Sequence, residues 1–451
     1  MERLIPRPLK ELAAALPAPL YLVGGSVRDF LAGFSAGETD WDLCSQAPEE
    51  LLEQAAQKCG FTVRAVYRNT GTVKLSDPDG TGYEYTRFRS DQYVRGLHTP
   101  AEIVFTDDIA LDARRRDFCA NAVYYEIESG TFCDPLGGIA DIRAKTLRTV
   151  APAAKVFGED GLRLVRLARL AAQTGFSPDA ECLAGAKKNH ALIGDIAPER
   201  IFAELDLLLH ADRKAGGEQG PLRGLCILRE TGVLKEILPE LAAGDGMPQR
   251  SDFHRYDVLE HSFRCVRYAP ENIRWAALLH DVGKPFCFTR DGNFHAHPEE
   301  GARLTEEILS RLKAPKKFTE RTARLVALHM RDFNLAMKES KVRREIQTNY
   351  DLLPELFALR QADFSACKDD RSPAPGVVKW QRILGQMRAE GVPFALKELA
   401  VNGADLTALG IGGEQVGEVL RGLLAYCAQD GTRNTREKLL RHVKNCTKEN
   451  K

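Results

Sequence analysis

The apolar pattern of this chain changes period once, near residue 150, and that change does most to limit what it can fold into. Before it, short β-rich runs at 20–23, 61–66, 72–75, 83–88 and 131–133 are separated by helical stretches and turn glycines. From Phe157 onward the apolar residues recur at helical spacing, as in Leu162, Val165 and Leu170 and later Ile201, Leu205 and Leu208. The expected fold class is α+β, a mixed-sheet head followed by a mainly α-helical chain. Pro- and Gly-rich stretches at 211–221, 243–248 and 371–375 mark further breaks, and 451 residues suffice for roughly three domains.

Charge and cysteine usage narrow the function classes. The 63 Lys and Arg balance 63 Asp and Glu, so nucleic-acid binding cannot be argued from net charge and must come from charge placement. Eleven cysteines without a CxxC pair read as free thiols in a reducing cytosol, hence a cytoplasmic protein. The apolar stretch 12–23 is interrupted by Pro17 and Pro19 and flanked by Glu2 and Glu11, so it reads as a short helix running into a strand rather than a signal peptide. No run approaches the roughly 18–20 apolar residues that span a bilayer, and no membrane partner is expected.

Two features of the head carry chemistry. Gly24-Gly25 stands between an apolar strand and a helix bearing Arg28, where backbone N–H groups can approach a phosphate closely. In Asp40-Trp41-Asp42, alternate residues of an extended segment put both carboxylates on one face. Like charges so close suit a bound Mg²⁺, although a solvated turn also fits. Glu84, in the strand-like run 83–89, would be a third acid for a two-metal clamp, or else a strand residue paired with Arg87 or Arg89.

The series Gly24-Gly25-x-Val27-Arg28-Asp29, Asp40-x-Asp42, Arg115-Arg116-Asp117-Phe118-Cys119-Ala120-Asn121-Ala122 and Asp134-Pro135-Leu136-Gly137-Gly138 resembles the class II nucleotidyltransferases, the CCA-adding tRNA nucleotidyltransferases and bacterial poly(A) polymerases. The likeness covers about the first 210 residues, and likeness to HD-containing CCA-adding enzymes extends to about residue 370. Cys119 and Ala120 stand where family members usually carry Thr and Ile. The resemblance implies attack by a tRNA 3′-hydroxyl on the α-phosphate of CTP or ATP, with Asp40 and Asp42 as Mg²⁺ ligands and Glu84 as the third carboxylate. It further implies that Gly25 and Arg28 contact the triphosphate and Arg116 the nucleotide.

Beyond the head, Glu159-Asp160-Gly161-Leu162-Arg163 reads as the start of a helix, with Asp160 and Arg163 as i,i+3 neighbours. They make either a surface ion pair or a template. A carboxylate accepting from an amino group beside a guanidinium donating to a ring nitrogen matches the Watson–Crick edges of C and A, not U or G. The stretch resembles the EDxxR element of CCA-adding enzymes, with Arg166 and Arg169 matching further nucleotide-contacting arginines. Glu159 before Asp160 favours CCA addition over polyadenylation, and Glu199-Arg200 with Glu204 resembles the ERxxxE element of CCA-type enzymes, or is a charged helix face.

Further on, His280-Asp281 ends an apolar helix stopped by Gly283 and Pro285, where burial without partners would be costly. With His261 and Asp363 it resembles the single-metal set of the HD phosphohydrolases, and His297 and His329 match a second-ion set. A Mn²⁺- or Ni²⁺-dependent phosphoester hydrolase and a purely structural metal site both remain open. Residues 431–451 hold seven Lys or Arg and two Glu, a solvated helix face or a grip on the tRNA backbone. The expected partition is 1–150 nucleotidyltransferase head, 151–245 helical neck, 246–370 HD domain and 371–451 helical tail. Alternatives are a poly(A) polymerase, an enzyme adding only CC or only A, or an HD phosphohydrolase with a degenerate head.

Overall fold

The computed structural model describes residues 1–34, 41–93 and 100–449. Its head is built on a seven-stranded sheet of β1 (Tyr21–Val23), β2 (Trp41–Ser45), β3 (Thr62–Tyr67), β4 (Thr72–Ser76), β5 (Gly82–Arg87), β8 (Tyr124–Glu126) and β9 (Phe132–Cys133), in the order β3-β4-β5-β2-β1-β8-β9. A separate ribbon pairs β6 (Arg89–Gln92) with β7 (Glu102–Phe105). Of the pairs in the large sheet, β2 with β5 is parallel and the rest are antiparallel, so the sheet is mixed as expected. The parallel pair is possible because helix Glu49–Lys58 and the β3–β4 hairpin carry the chain across between its strands. Val23, Cys44, Phe88, Cys119, Ala122 and Tyr124 pack into the core against this sheet.

From residue 153 the long elements are helices, as the 3.6-residue period requires. One expectation is corrected at the start of this region. Glu159 and Asp160 do not open the helix that carries Arg163: Glu159 ends helix Ala153–Glu159, and Asp160 is extended, with φ −145°. The next helix, Leu162–Thr174, begins after Gly161, and the Asp160 carboxylate accepts its first N–H, from Leu162, at 3.0 Å. Gly161 is required because a Cβ there would lie 2.5 Å from the Leu192 carbonyl oxygen.

The chain forms two compact units, Met1–Ala243 with Ile308–Pro315 and Gly244–Glu307 with Lys316–Lys451. Within the second, Leu399, Leu406, Ile411, Leu423, Cys427, Leu439 and Val443 form a core of their own. The basic C-terminal helix Arg436–Glu449 is therefore amphipathic: Leu439 and Val443 are buried while Arg441 and Lys444 are exposed. Deleting residues 431–451 would remove core together with charge. Leu439→Ala should cost about 2–5 kcal/mol in urea unfolding, whereas Arg441→Glu should stay within about 0.5 kcal/mol.

Candidate active sites

The register of the sheet assembles the first site. Val23 pairs with Tyr124 on one side and Asp42 on the other, and Asp42 pairs with Glu84. Directly paired residues project from the same face, so Tyr124, Val23, Asp42 and Glu84 form one row across four strands. Gly24, at the end of β1, has φ +79°, and a Cβ there would lie 2.9 Å from the Asp42 carboxylate oxygen. Glycine at 24 thus leaves the space beside Asp42 open. Glu84 meets Lys74 across the strand pair at 3.4 Å rather than Arg87 or Arg89. Asp40 lies outside the described residues.

Arg28 and Arg116 are held firmly beside this row. Arg28 is buried, donating to Asn121 Oδ1 at 2.6 Å and to Asp29 at 2.7–2.9 Å. The Arg116 guanidinium donates to Asp112 at 2.9 Å and to the Tyr124 hydroxyl at 3.1 Å and sits over the Tyr124 ring. Burial pushes the Asp112 carboxyl up, but Arg116, Arg115 and the Tyr124 hydroxyl pull it further the other way, to about 2. Gly25, the first residue of helix Gly25–Leu31, lies under the Arg28 guanidinium, which a Cβ there would meet at 3.6 Å.

A polar network runs from Arg28 into the neck helices. Asn121 donates to Asp117 at 3.0 Å, and Arg166 grips the other oxygen of Asp117 with two N–H groups at 2.9 and 2.5 Å. Arg166 also lies 3.6 Å from Glu204, which accepts from Arg169 at 2.5 Å. Burial would raise the Asp117 carboxyl, but Arg166, Asn121 and the Phe118 N–H hold it well below the usual carboxylate range. Glu204 is thus part of this buried network rather than of a solvated helix face.

Asp160 and Arg163 do not pair with each other as their i,i+3 spacing suggested. Asp160 meets Arg200 at 3.5 Å, while Arg163 donates to Glu159 at 3.1 Å and to the carbonyls of Val156 and Arg115 at 3.0 and 2.8 Å. The extended backbone at Asp160 turns the two side chains to different neighbours. Sequence reasoning missed Asp117 and Asn121 as connectors, although both stand in the 115–122 motif that it quoted.

The second unit gathers all six expected HD residues. His261 Nε2 lies 3.2 Å from His280 Nε2 and 3.0 Å from Asp363 Oδ1. Asp281 spans the cluster, with Oδ2 3.2 Å from His280 and Oδ1 3.3 and 3.7 Å from His297 and His329, which are themselves 3.4 Å apart. Backbone carbonyls fix three of the rings: His280, His297 and His329 each donate Nδ1–H to the residue three before it, at 2.8, 2.8 and 2.6 Å. Their Nε2 lone pairs therefore converge. Gly283 permits this closeness, since a Cβ there would lie 2.4 Å from the His297 carbonyl oxygen.

This donor set fits a divalent cation. Asp281 accepts from the Lys284 ammonium at 2.6 Å, and Asp363 faces His261 and His280. Burial pushes the Asp281 carboxyl up, but His280 and Lys284 hold it well below the usual range. Facing Nε2 lone pairs repel unless a proton or cation lies between them. Two three-donor sets result, His261/His280/Asp363 and Asp281/His297/His329.

The comparisons agree with this geometry. Residues 20–148 match the Poly A polymerase head domain, 175–244 the Probable RNA and SrmB- binding site of polymerase A, and 254–360 the HD domain. The class is a nucleotidyltransferase with a poly(A)-polymerase-type head joined to an HD domain. The chain is 32% identical over 429 residues to the A-adding tRNA nucleotidyltransferase of Deinococcus radiodurans, covering 90% of this chain and 91% of that protein. It is 30% identical over 416 residues to the Multifunctional CCA protein of Xanthomonas campestris pv. campestris, covering 89% and 96%. This chain belongs to the tRNA nucleotidyltransferase family. The fold is shared over 99% of the chain with the Bacillus stearothermophilus CCA-adding enzyme crystallised with CTP, at TM-score 0.68, 24% identity and full coverage of that chain. Among the described residues, no helix is long and apolar enough to cross a membrane.

Because Asp112 titrates lower in the folded head than in the unfolded chain, it contributes stability that is present above about pH 4. That contribution is lost as pH falls through about 2. Stability measured by denaturant unfolding from pH 5 to pH 2 should therefore decline. Asp112→Asn should flatten that decline while costing about 3–5 kcal/mol at neutral pH, because Arg115 and Arg116 lose a buried counter-charge.

Proposed function

We propose that this chain builds and repairs the 3′-terminal CCA of tRNA from CTP and ATP without a nucleic-acid template. The observation that carries the reading is the Asp42–Glu84 row kept open by Gly24, in a chain similar to an A-adding tRNA nucleotidyltransferase and to a Multifunctional CCA protein. Asp42, Glu84 and Asp40 are the assigned ligands of Mg²⁺. When bound, Mg²⁺ supplies activation of the attacking 3′-hydroxyl and stabilisation of the leaving pyrophosphate.

Arg28, oriented by Asn121 and Asp29, and the Gly25 backbone take the triphosphate. Arg116 contributes to the nucleotide pocket by holding Tyr124 in the sheet row. Asp160 and Arg163 read the base edge, which requires each to release a present partner, Arg200 and Glu159, as the nucleotide enters. Arg166 and Arg169 set the distance between head and base reader through Asp117 and Glu204. In this reading residues 1–150 carry the chemistry, 151–245 recognise nucleotide and primer, 246–370 form the HD domain, and 371–451 hold tRNA through their basic helix. The free cysteines suit a reducing, cytoplasmic setting.

Extension of tRNA lacking CCA, with each nucleoside triphosphate alone and then with CTP plus ATP, tests the proposal. CTP alone should give C additions, and both together the full CCA. Addition of A alone, and only to tRNA already ending in CC, would make this an A-adding enzyme; an unending A tract would make it a poly(A) polymerase. Asp42→Ala should abolish every addition. Asp160→Ala should chiefly erode discrimination against UTP and GTP, of about 10⁴-fold for a site built on buried hydrogen bonds.

The convergent imidazoles support a second activity, metal-dependent hydrolysis of a phosphoester in the HD domain. With Mn²⁺ or Ni²⁺, 2′,3′-cyclic AMP should be opened by the wild-type chain. Turnover no greater than that of His280→Ala would reduce the cluster to a structural site.

A further inference from the structure

Three of the four histidines in the HD cluster commit Nδ1 to a backbone carbonyl; His261 does not. Its ring is fully buried, its Nε2 faces His280 and Asp363, and its Nδ1 has no hydrogen-bond partner among the described residues. A buried imidazole nitrogen left that way costs free energy unless something else engages it. Two potential ligands stand beside it. The His254 ring meets the His261 ring edge to face with centroids 4.8 Å apart, and its own Nδ1 is likewise buried without a partner among the described residues. Cys367 supplies a thiol, and one donor atom from each of His254, His261 and Cys367 lies within 4.8 Å of the others.

The segment carrying His254 is tied to the end of helix Leu353–Lys368 that carries Cys367. Arg255 N–H donates to the Cys367 carbonyl at 2.9 Å, and Lys368 Nζ to the Asp252 carbonyl at 2.6 Å. Tyr256 bonds Asp369 from the same side. Cys367 is thus brought to His254 and His261 by tertiary stitching and not by sequence proximity.

We propose that His254, Cys367 and Nδ1 of His261 form a separate binding position for a thiophilic divalent ion of the zinc class, which competes with the ion of the HD site. Two imidazoles and a thiolate suit such an ion better than Mg²⁺ or Ca²⁺. Tetrahedral zinc at about 2.0–2.1 Å from nitrogen and about 2.3 Å from sulfur sets neighbouring donors roughly 3.3–3.6 Å apart, and the donors of these three residues lie within 4.8 Å of one another. Binding releases the Cys367 thiol proton to solvent.

The competition follows from the ring itself. A neutral imidazole has one lone pair. An ion on Nδ1 leaves His261 protonated at Nε2, donating to Asp363 Oδ1 at 3.0 Å, and removes His261 from the HD donor set. Occupancy of the cysteine position therefore lowers HD-site function.

Cobalt(II) added to the metal-free full-length chain tests this spectroscopically. The wild type should show a thiolate-to-cobalt charge-transfer band saturating at one equivalent. The band should be lost in Cys367→Ser and Cys367→Ala, should weaken in affinity roughly tenfold or more in His254→Ala, and should persist in Cys446→Ser, which breaks the Cys446–His442 contact at 3.8 Å. No band in the wild type, or a band unchanged in Cys367→Ser, overturns the site. The regulatory part rests on the proposed HD hydrolysis. Zinc should inhibit that activity in the wild type and do so roughly tenfold less potently in Cys367→Ser, and equal inhibition overturns the competition. If the HD site hydrolyses nothing, the cobalt spectrum still decides whether the position exists.

Discussion

The ion pair between Asp117 and Arg166 is the interaction on which the arrangement of the transferase unit depends. It joins the motif after helix Ile109–Arg114 to the middle of helix Leu162–Thr174, with Asp117 buried and bonded on both oxygens. Through Asn121 it reaches Arg28, one turn from Gly24, and through Arg166 it reaches Glu204 and Arg169. Buried pairs of this kind add little net stability, because desolvation offsets the attraction, but losing one partner is severe. Their effect is geometric. The glycine turn beside Asp42 and the helix that carries Arg163 are held in one register by directional bonds, which apolar packing alone would not specify.

The parts of the fold written in apolar periodicity were legible, and the parts that depend on tertiary closeness were not. Strands β1, β3, β4 and β5 follow runs of β-branched and aromatic residues, and their positions match to within a residue or two. The ribbon of β6 and β7 has a weak signal: β6, with Arg89, Asp91 and Gln92, has no apolar alternation, and β7, although Ile103, Val104 and Phe105 are apolar, is only four residues long. The Asp160–Arg163 pair failed for a local reason. Helical spacing implies contact only if the helix is continuous, and the extended backbone at Asp160 breaks it there. The Asp42–Glu84 pairing was expected as a shared face, yet only the parallel register of β2 and β5 makes the two residues neighbours.

The HD cluster shows the same division. His280-Asp281 at the end of an apolar helix was visible as a pair too costly to bury alone. That His261, His297, His329 and Asp363 join it required knowledge of a family pattern, since they come from separate helices and from the ends of others. No pattern pointed to His254 and Cys367, which stand 113 residues apart and meet because Tyr256, Arg255 and Lys368 fasten the two segments. A lone histidine and a lone cysteine carry no signal until the fold brings them together.

Net charge could not separate the structural acids of this chain from those with chemistry to do, but the identity of their partners can. Asp112 and Asp117 are buried against arginines, which remain charged at any relevant pH, and their remaining lone pairs are filled by Tyr124, Asn121 and backbone N–H groups. Such acids are already neutralised and have nothing to offer an ion. Asp281 and Asp363 face imidazoles instead, with Lys284 as the ammonium that bonds Asp281. Histidine can answer a carboxylate either by taking a proton or by sharing a cation, so an acid surrounded by it is left able to bind and release. The zero charge of the sequence thus conceals a difference among its buried acids, some satisfied permanently by guanidinium and others kept available by imidazole.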